Sequence, residues 1–329
     1  MVAVRIAIYG AGAVGGLVAA RLACAGHEVS AVARGATLDA LRSRGLRLVS
    51  AGGEARVRLP ASDDPAELGP QELVVVAVKA PALVHVARDI GPLLGPDTVV
   101  LTAMNGVPWW FFDRFGGRWA GTRLDSVDPG GAIAAGIPSR HVVGCVVHLA
   151  CAVPEPGFVC HTAGNRLIVG EPGGEASQRL ARLAATLRGA GFDVDVSRRI
   201  QADVWYKLWG NMTMNPVSAL TGATCDRILD DPQVYRFCLD VMGEAARIGA
   251  AIGCPISESG EDRMAVTRKL GAFKTSMLQD VEAGRAVELD ALVSAVREIG
   301  ARVGEPTPRI DTLLGLARLH ARVRGLYPA

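Results

Sequence analysis

Of the 35 basic side chains in this 329-residue chain, four are lysines: Lys79, Lys207, Lys269 and Lys274. In so arginine-rich a sequence an amine marks a place where a guanidinium would not serve. Arginine cannot release its proton at useful pH, whereas a lysine in an apolar site can. Lys207 stands in Trp205-Tyr206-Lys207-Leu208-Trp209, a setting that could desolvate an ammonium and lower its pKa. Asn211 and Asn215 follow at i+4 and i+8, so a helix would align all three on one face. The chemistry on offer is proton transfer. The same row would also suit a solvated stripe or amides that pair helices, and by itself it leaves that choice open.

A second constellation lies at the N-terminus. Gly10-Ala11-Gly12-Ala13-Val14-Gly15 is a G-x-G-x-x-G run between a strand-like and a helix-like segment. In that context the first glycine makes a tight turn, the second lets a pyrophosphate approach the backbone, and the third allows close helix–strand packing. The helix N-terminus then offers free N–H groups and partial positive charge to phosphates. The competing reading is a glycine-rich packing turn. The next strand ends Ala31-Val32-Ala33-Arg34, where NAD enzymes usually carry Asp or Glu. A guanidinium there can pair with a 2′-phosphate, so the cofactor expected is NADPH/NADP+.

The elements that must position these groups follow from periodicity. Strands are expected at residues 4–9, 28–33, 46–49, 55–59, 73–78 and 98–101, with helices at 13–25, 38–44 and 81–94. Alternation at this spacing argues for a parallel sheet covered on both faces. Residues 142–170 read as antiparallel strands extending it, followed by a helix at 176–190 and a strand at 194–196. Beyond about residue 198 the period becomes 3.6, with helices at 200–221, 232–252, 261–283, 288–304 and 309–324. The expected fold is α/β: an N-terminal Rossmann-type doubly wound sheet (1–199) with a C-terminal all-α domain (200–329).

Composition excludes several classes. Net charge is +2 with acidic and basic residues interspersed, which leaves no stripe for nucleic acid or a membrane surface. Residues 2–25 are apolar with Arg5 near the start, as in a signal peptide, but the ordered glycines read as strand–turn–helix. No unbroken apolar run reaches about 18 residues, so no membrane span is expected. Seven scattered cysteines without C-x-x-C spacing read as reduced thiols in a cytoplasmic protein, and no metal site is expected. His148, His161 and Cys160, like Asp125, Asp128 and Asp280, are read as structural.

Trp205 to Pro216, W-x-K-L-x-x-N-x-x-x-N-P, resembles the signature that opens the helical domain of ketopantoate reductases. Ser276-Met277-Leu278-Gln279-Asp280 is similar to that family's S-M-x-Q-D segment, and Val287-Glu288-Leu289-Asp290 to its T-E-I-D segment, twelve residues after the serine. Lys79 in Val78-Lys79-Ala80 and Asn105-Gly106 match further family positions. The resemblance implies NADPH-dependent reduction of 2-dehydropantoate to (R)-pantoate, toward pantothenate and coenzyme A. Lys207 would protonate the carbonyl oxygen, and Glu288 would orient Lys207 or substrate. Asn211, Asn215 and Ser276 would bind substrate oxygens, while Lys79 and Asn105 would lie where nicotinamide ribose and substrate meet. Reduction creates an incipient alkoxide, which a positioned cation stabilises and protonates.

Two departures touch the substrate: Val287 replaces a small polar residue, and residues 108–138 are longer and more aromatic than in familiar members, so that stretch could border the pocket. Two other readings therefore stand beside the first: the same chemistry on a different 2-oxoacid, and a non-catalytic NADP-binding sensor. The partner expected is a small 2-oxoacid, with no nucleic acid and no membrane; a homodimer is left open.

Overall fold

The computed structural model describes residues 3–328; Met1, Val2 and Ala329, which the expected domains include, and with Val2 the start of the apolar N-terminal segment, lie outside the described residues. The chain separates into two compact units. One comprises Met1–Met104, Trp109–Arg123 and Gly130–Ile200, the other Asn105–Pro108, Leu124–Pro129 and Gln201–Ala329.

The first unit runs β1 (Arg5–Tyr9), α1 (Ala13–Cys24), β2 (Glu28–Val32), α2 (Gly35–Arg44), β3 (Leu46–Ser50), β4 (Gly53–Val57), β5 (Ala61–Ser62), β6 (Gln71–Val76), α3 (Leu83–Asp89) and β7 (Leu94–Ala103). It continues with α4 (Ala132–Gly136), β8 (Val142–Glu155), β9 (Phe158–Gly170), α5 (Gln178–Gly189) and β10 (Asp193–Val196). The parallel strands lie in the order β5-β2-β1-β6-β7-β8. The chain adds β2 beside β1, forms the β3–β4 hairpin at the other end of the strand order, sets β5 beside β2, and then places β6 on β1's other side. This is the doubly wound arrangement, and ligands of such sheets bind where the strand order reverses. Beyond β8 the antiparallel β9 extends the sheet, with β3, β4 and β10 attached through it. Val74, Val75 and Val76 have no exposed surface, as a strand covered on both faces requires.

Residues 81–94 do not form the single helix that periodicity suggests. A 3₁₀ turn at Ala80–Ala82, α3 and a second 3₁₀ turn at Gly91–Leu93 take that place, and β7 starts at Leu94. Gly91-Pro92 ends the helix, because proline disfavours α geometry in the residue before it. Within the aromatic run, Trp109, Trp110, Phe111 and Phe112 are at most 5% exposed. Trp110 Nε1 donates to Thr102 Oγ1 (3.2 Å) and Trp109 Nε1 to the Ile137 carbonyl (3.3 Å), which lets both indoles be buried.

The helical unit contains α6 (Ile200–Thr221), α7 (Cys225–Asp230), α8 (Pro232–Ile252), α9 (Gly260–Arg268), α10 (Ser276–Glu282), α11 (Ala295–Val303) and α12 (Pro308–Val323). The periodic stretch 261–283 is two helices, separated by a turn at Gly271 and recapped by Thr275, whose side chain accepts from the Leu278 N–H. A π-helical turn, Asp290–Ser294, leads into α11. On α8 the buried Glu244 accepts the Arg309 and Ile310 N–H groups, both at 2.9 Å. Its charge therefore meets the positive end of α12 and satisfies two of that helix's free donors. Among the described residues no helix is long and apolar enough to cross a membrane.

Candidate active site

The glycine loop between β1 and α1 is shaped by close approach. Gly10 has φ +95°, and a Cβ there would lie 2.6 Å from Val78 Cγ1. A Cβ at Gly15 would sit 2.0 Å from the Gly10 carbonyl oxygen and 3.1 Å from Ala77 Cβ. Both positions therefore exclude other residues for reasons internal to the chain. Gly12 is different, since a Cβ there would meet no protein atom within 4 Å. Packing does not demand glycine at that point, whereas a pyrophosphate approaching the backbone would. The N-terminus of α1 has no side-chain cap and no acidic residue in its first turn. Its N–H groups are thus available to an anion, and the loop fits a dinucleotide diphosphate. Ala11 is buried at the turn, and Val14 packs against the sheet core. Lys79 lies just beyond β6 at the start of the 3₁₀ turn, its ammonium nitrogen buried.

Arg34 follows β2 and caps α2. Its guanidinium pairs with Asp89 at 3.1 Å while remaining 55% exposed. Arg88 holds the same carboxylate through two bonds, 2.7 Å to Oδ1 and 3.1 Å to Oδ2. Hydrogen bonding from Arg88 is the main cause that holds the Asp89 carboxyl below its ordinary pKa. The buried Tyr9 phenol belongs to this cluster; burial pushes its pKa up, Asp89 adds to that rise and Arg34 opposes it. Arg88 and Asp89 were not legible as site residues in the sequence, because the pairing with Arg34 spans 55 positions.

In the helical unit, α6 is continuous from Ile200 to Thr221, so Lys207, Asn211 and Asn215 share one face. Asn215 is buried, and the other two are half-buried. Lys207 Nζ donates to Asn105 Oδ1 at 2.7 Å. The flanking tryptophans serve helix packing. Trp209 Nε1 donates to the Met242 carbonyl of α8 at 2.8 Å, and Trp205 fits against Gly249 of α8, where a Cβ would be 2.2 Å from its indole nitrogen.

The segment carrying Asn105 is anchored to the turn that follows Glu288. Gly106 has φ +85° and packs on Ala291, where a Cβ would meet the carbonyl oxygen at 2.6 Å. The Val107 N–H donates to that same oxygen at 2.8 Å. Ala291 belongs to the π turn three residues after the half-buried Glu288, whose own carbonyl accepts from the Leu292 N–H. Turns with the wider π pattern are rare, occur mostly as single turns, and are frequent at functional sites. Asp290 plays a different part, in which its Oδ1 accepts from Ser294, Tyr327 and Arg318 and ties the turn to α12 and the chain end. Ser276 is exposed at the first position of α10.

His161 bonds the Gly164 carbonyl and Arg21. Asp280 pairs with Arg285 at 3.1 Å.

Residues 6–109 match the family described as ketopantoate reductase PanE/ApbA, and residues 199–321 match its C-terminal counterpart. A 2-dehydropantoate 2-reductase from Mesorhizobium japonicum is 46% identical over 98% of this chain and 99% of its own. One from Halobacterium salinarum is 30% identical over 97% and 99%. A crystal structure from Ralstonia solanacearum MolK2, provisionally assigned as a ketopantoate reductase, superposes with a TM-score of 0.96 at 62% identity, covering 99% of this chain and all of that one. With likeness spanning both units, this chain belongs to the ketopantoate reductase family.

Proposed function

We propose that this chain reduces 2-dehydropantoate to (R)-pantoate with NADPH, using Lys207 as the general acid. The observation that carries the reading is the 2.7 Å hydrogen bond from Lys207 Nζ to Asn105 Oδ1, on the helix face shared with Asn211 and Asn215. Likeness to 2-dehydropantoate 2-reductases over nearly the whole chain supports the substrate and a nicotinamide cofactor.

Gly10, Ala11, Gly12, Ala13, Val14 and Gly15 would hold the cofactor diphosphate, with Arg34 and Lys79 completing its site. When bound, the nicotinamide supplies a hydride to the 2-oxo carbon. The chain's own residues act on the oxygen. Asn105 accepts one of the three Lys207 N–H bonds and so fixes the ammonium's direction. Another N–H stabilises the negative charge developing on the carbonyl oxygen. Its proton then passes to that oxygen: an N–H bond breaks, an O–H bond forms, and neutral amine remains until water reprotonates it. Asn211 and Asn215 offer amide donors to substrate oxygens, Ser276 a hydroxyl to the carboxylate. Glu288 orients the cation or the substrate.

Oxidation of NADPH followed by absorbance, with 2-dehydropantoate and a panel of other 2-oxoacids, tests the reading. The highest kcat/KM is expected for 2-dehydropantoate. A higher value for another 2-oxoacid would reassign the substrate, and no turnover with any would reject catalysis. Arg34→Ala is expected to weaken NADPH far more than NADH.

A further inference from the structure

We infer that Arg88 is a second guanidinium of the cofactor's 2′-phosphate site, and that Asp89 is the anion which holds Arg88 and Arg34 together until the phosphate takes its place. The inference rests on the proposed reading of Arg34 and extends it to residues on a different element.

One oxygen carries the argument. Asp89 Oδ2 accepts from Arg34 NH2 and from Arg88 NH2, each at 3.1 Å. The two terminal nitrogens are therefore no more than twice that distance apart, a gap that the oxygens of one phosphate monoester can bridge. Arg88 spans the carboxylate side-on through Nε and NH2, the fork geometry by which guanidinium recognises carboxylate and phosphate alike. The trio carries a net charge of +1, two guanidiniums against one carboxylate, so a dianion is attracted to it. Without a carboxylate between them the two cations would repel each other, and Asp89 removes that repulsion while the site awaits its ligand. The buried Tyr9 beside them, the last residue of β1 before Gly10, links the cluster to the glycine loop.

Arg34 and Arg88 are 55% and 67% exposed, and Asp89 is 25% exposed. Water therefore screens the pair, so Asp89 can be exchanged for a ligand of higher charge at little cost. A ribose 2′-hydroxyl brings no charge and gains nothing from a second guanidinium.

The test is equilibrium binding of NADPH and NADH to the wild-type chain and to Arg34→Ala, Arg88→Ala and Asp89→Asn. Arg88→Ala is expected to raise the NADPH Kd by roughly 5- to 20-fold, as for one exposed charge-assisted contact, with NADH within about twofold. Asp89→Asn is expected to lower the NADPH Kd several-fold and leave NADH unchanged. If the wild type binds both cofactors equally, the reading of Arg34 fails and this inference with it. If Arg34→Ala abolishes the NADPH preference while Arg88→Ala retains it, the Arg34 reading stands and the inference is overturned. Weaker NADH binding in Asp89→Asn would make Asp89 an acceptor for the ribose, which also overturns it.

Discussion

Lys207 Nζ donates to Asn105 Oδ1 across 102 positions of sequence, at 2.7 Å. One residue on, Gly106 packs against Ala291 of the π turn that follows Glu288. A single short segment thus links the candidate acid to the turn that follows the candidate carboxylate, and the first two predictions follow from that link.

On the proposed mechanism, Lys207→Ala lowers kcat by about 10²- to 10⁴-fold, the usual range for a positioned proton donor. Lys207→Arg restores little, because a guanidinium stabilises charge without readily giving up a proton. NADPH affinity, read by titration, stays near wild type in both. Retention of more than about a tenth of wild-type kcat in Lys207→Ala would move the acid role to water or another side chain.

Gly106→Ala must place a methyl group 2.6 Å from the Ala291 carbonyl oxygen and 2.7 Å from its Cβ, at a φ of +85°. Strain at a left-handed backbone and overpacking together cost about 2–4 kcal/mol. The segment would also shift Asn105 off Lys207. Urea unfolding should show the lost stability, and steady-state assays a fall in kcat with NADPH affinity retained. Wild-type values in both measurements would refute the anchoring role.

Glu171 gives the chain an acid-sensitive tie. Its fully buried carboxylate accepts from Ser177 Oγ at 2.5 Å and from Arg179 at 2.7 and 2.5 Å. Burial alone would raise its pKa, but the hydrogen bonds from Arg179 and Ser177 and the Arg179 charge together hold it below its ordinary value. The stability this group confers is therefore complete above the ordinary glutamate pKa of about 4.3 and is lost as pH falls through the depressed folded value. Glu171→Gln should cost about 2–3 kcal/mol at pH 7, less than a wholly buried pair because Arg179 still reaches water. Chemical denaturation at pH 7 and in acid should show that difference shrinking as pH drops. A difference that does not change with pH would locate the acid sensitivity elsewhere.

Local physics made much of this chain legible before folding. The glycine spacing of residues 10–15, the β-branched run of β6 and the 3.6-residue period beyond residue 200 depend on neighbours a few positions away. So does the alignment of Lys207, Asn211 and Asn215, which one continuous helix is enough to produce. Other features depend on which distant segments meet, and no periodicity records that. Trp109 to Phe112 read in isolation only as an aromatic run, and partners at Thr102 and Ile137 are what let the two indoles be buried. The tryptophans flanking Lys207 serve α8, while the ammonium donates to an amide from residue 105. Arg34 alone reads as a free cation, but Asp89 and Arg88 from another helix determine the charge that a phosphate would meet. Periodicity and turn chemistry are short-range and survive in a linear string. Hydrogen bonds and ion pairs across 55 or 102 residues exist only once the tertiary structure has brought their partners together.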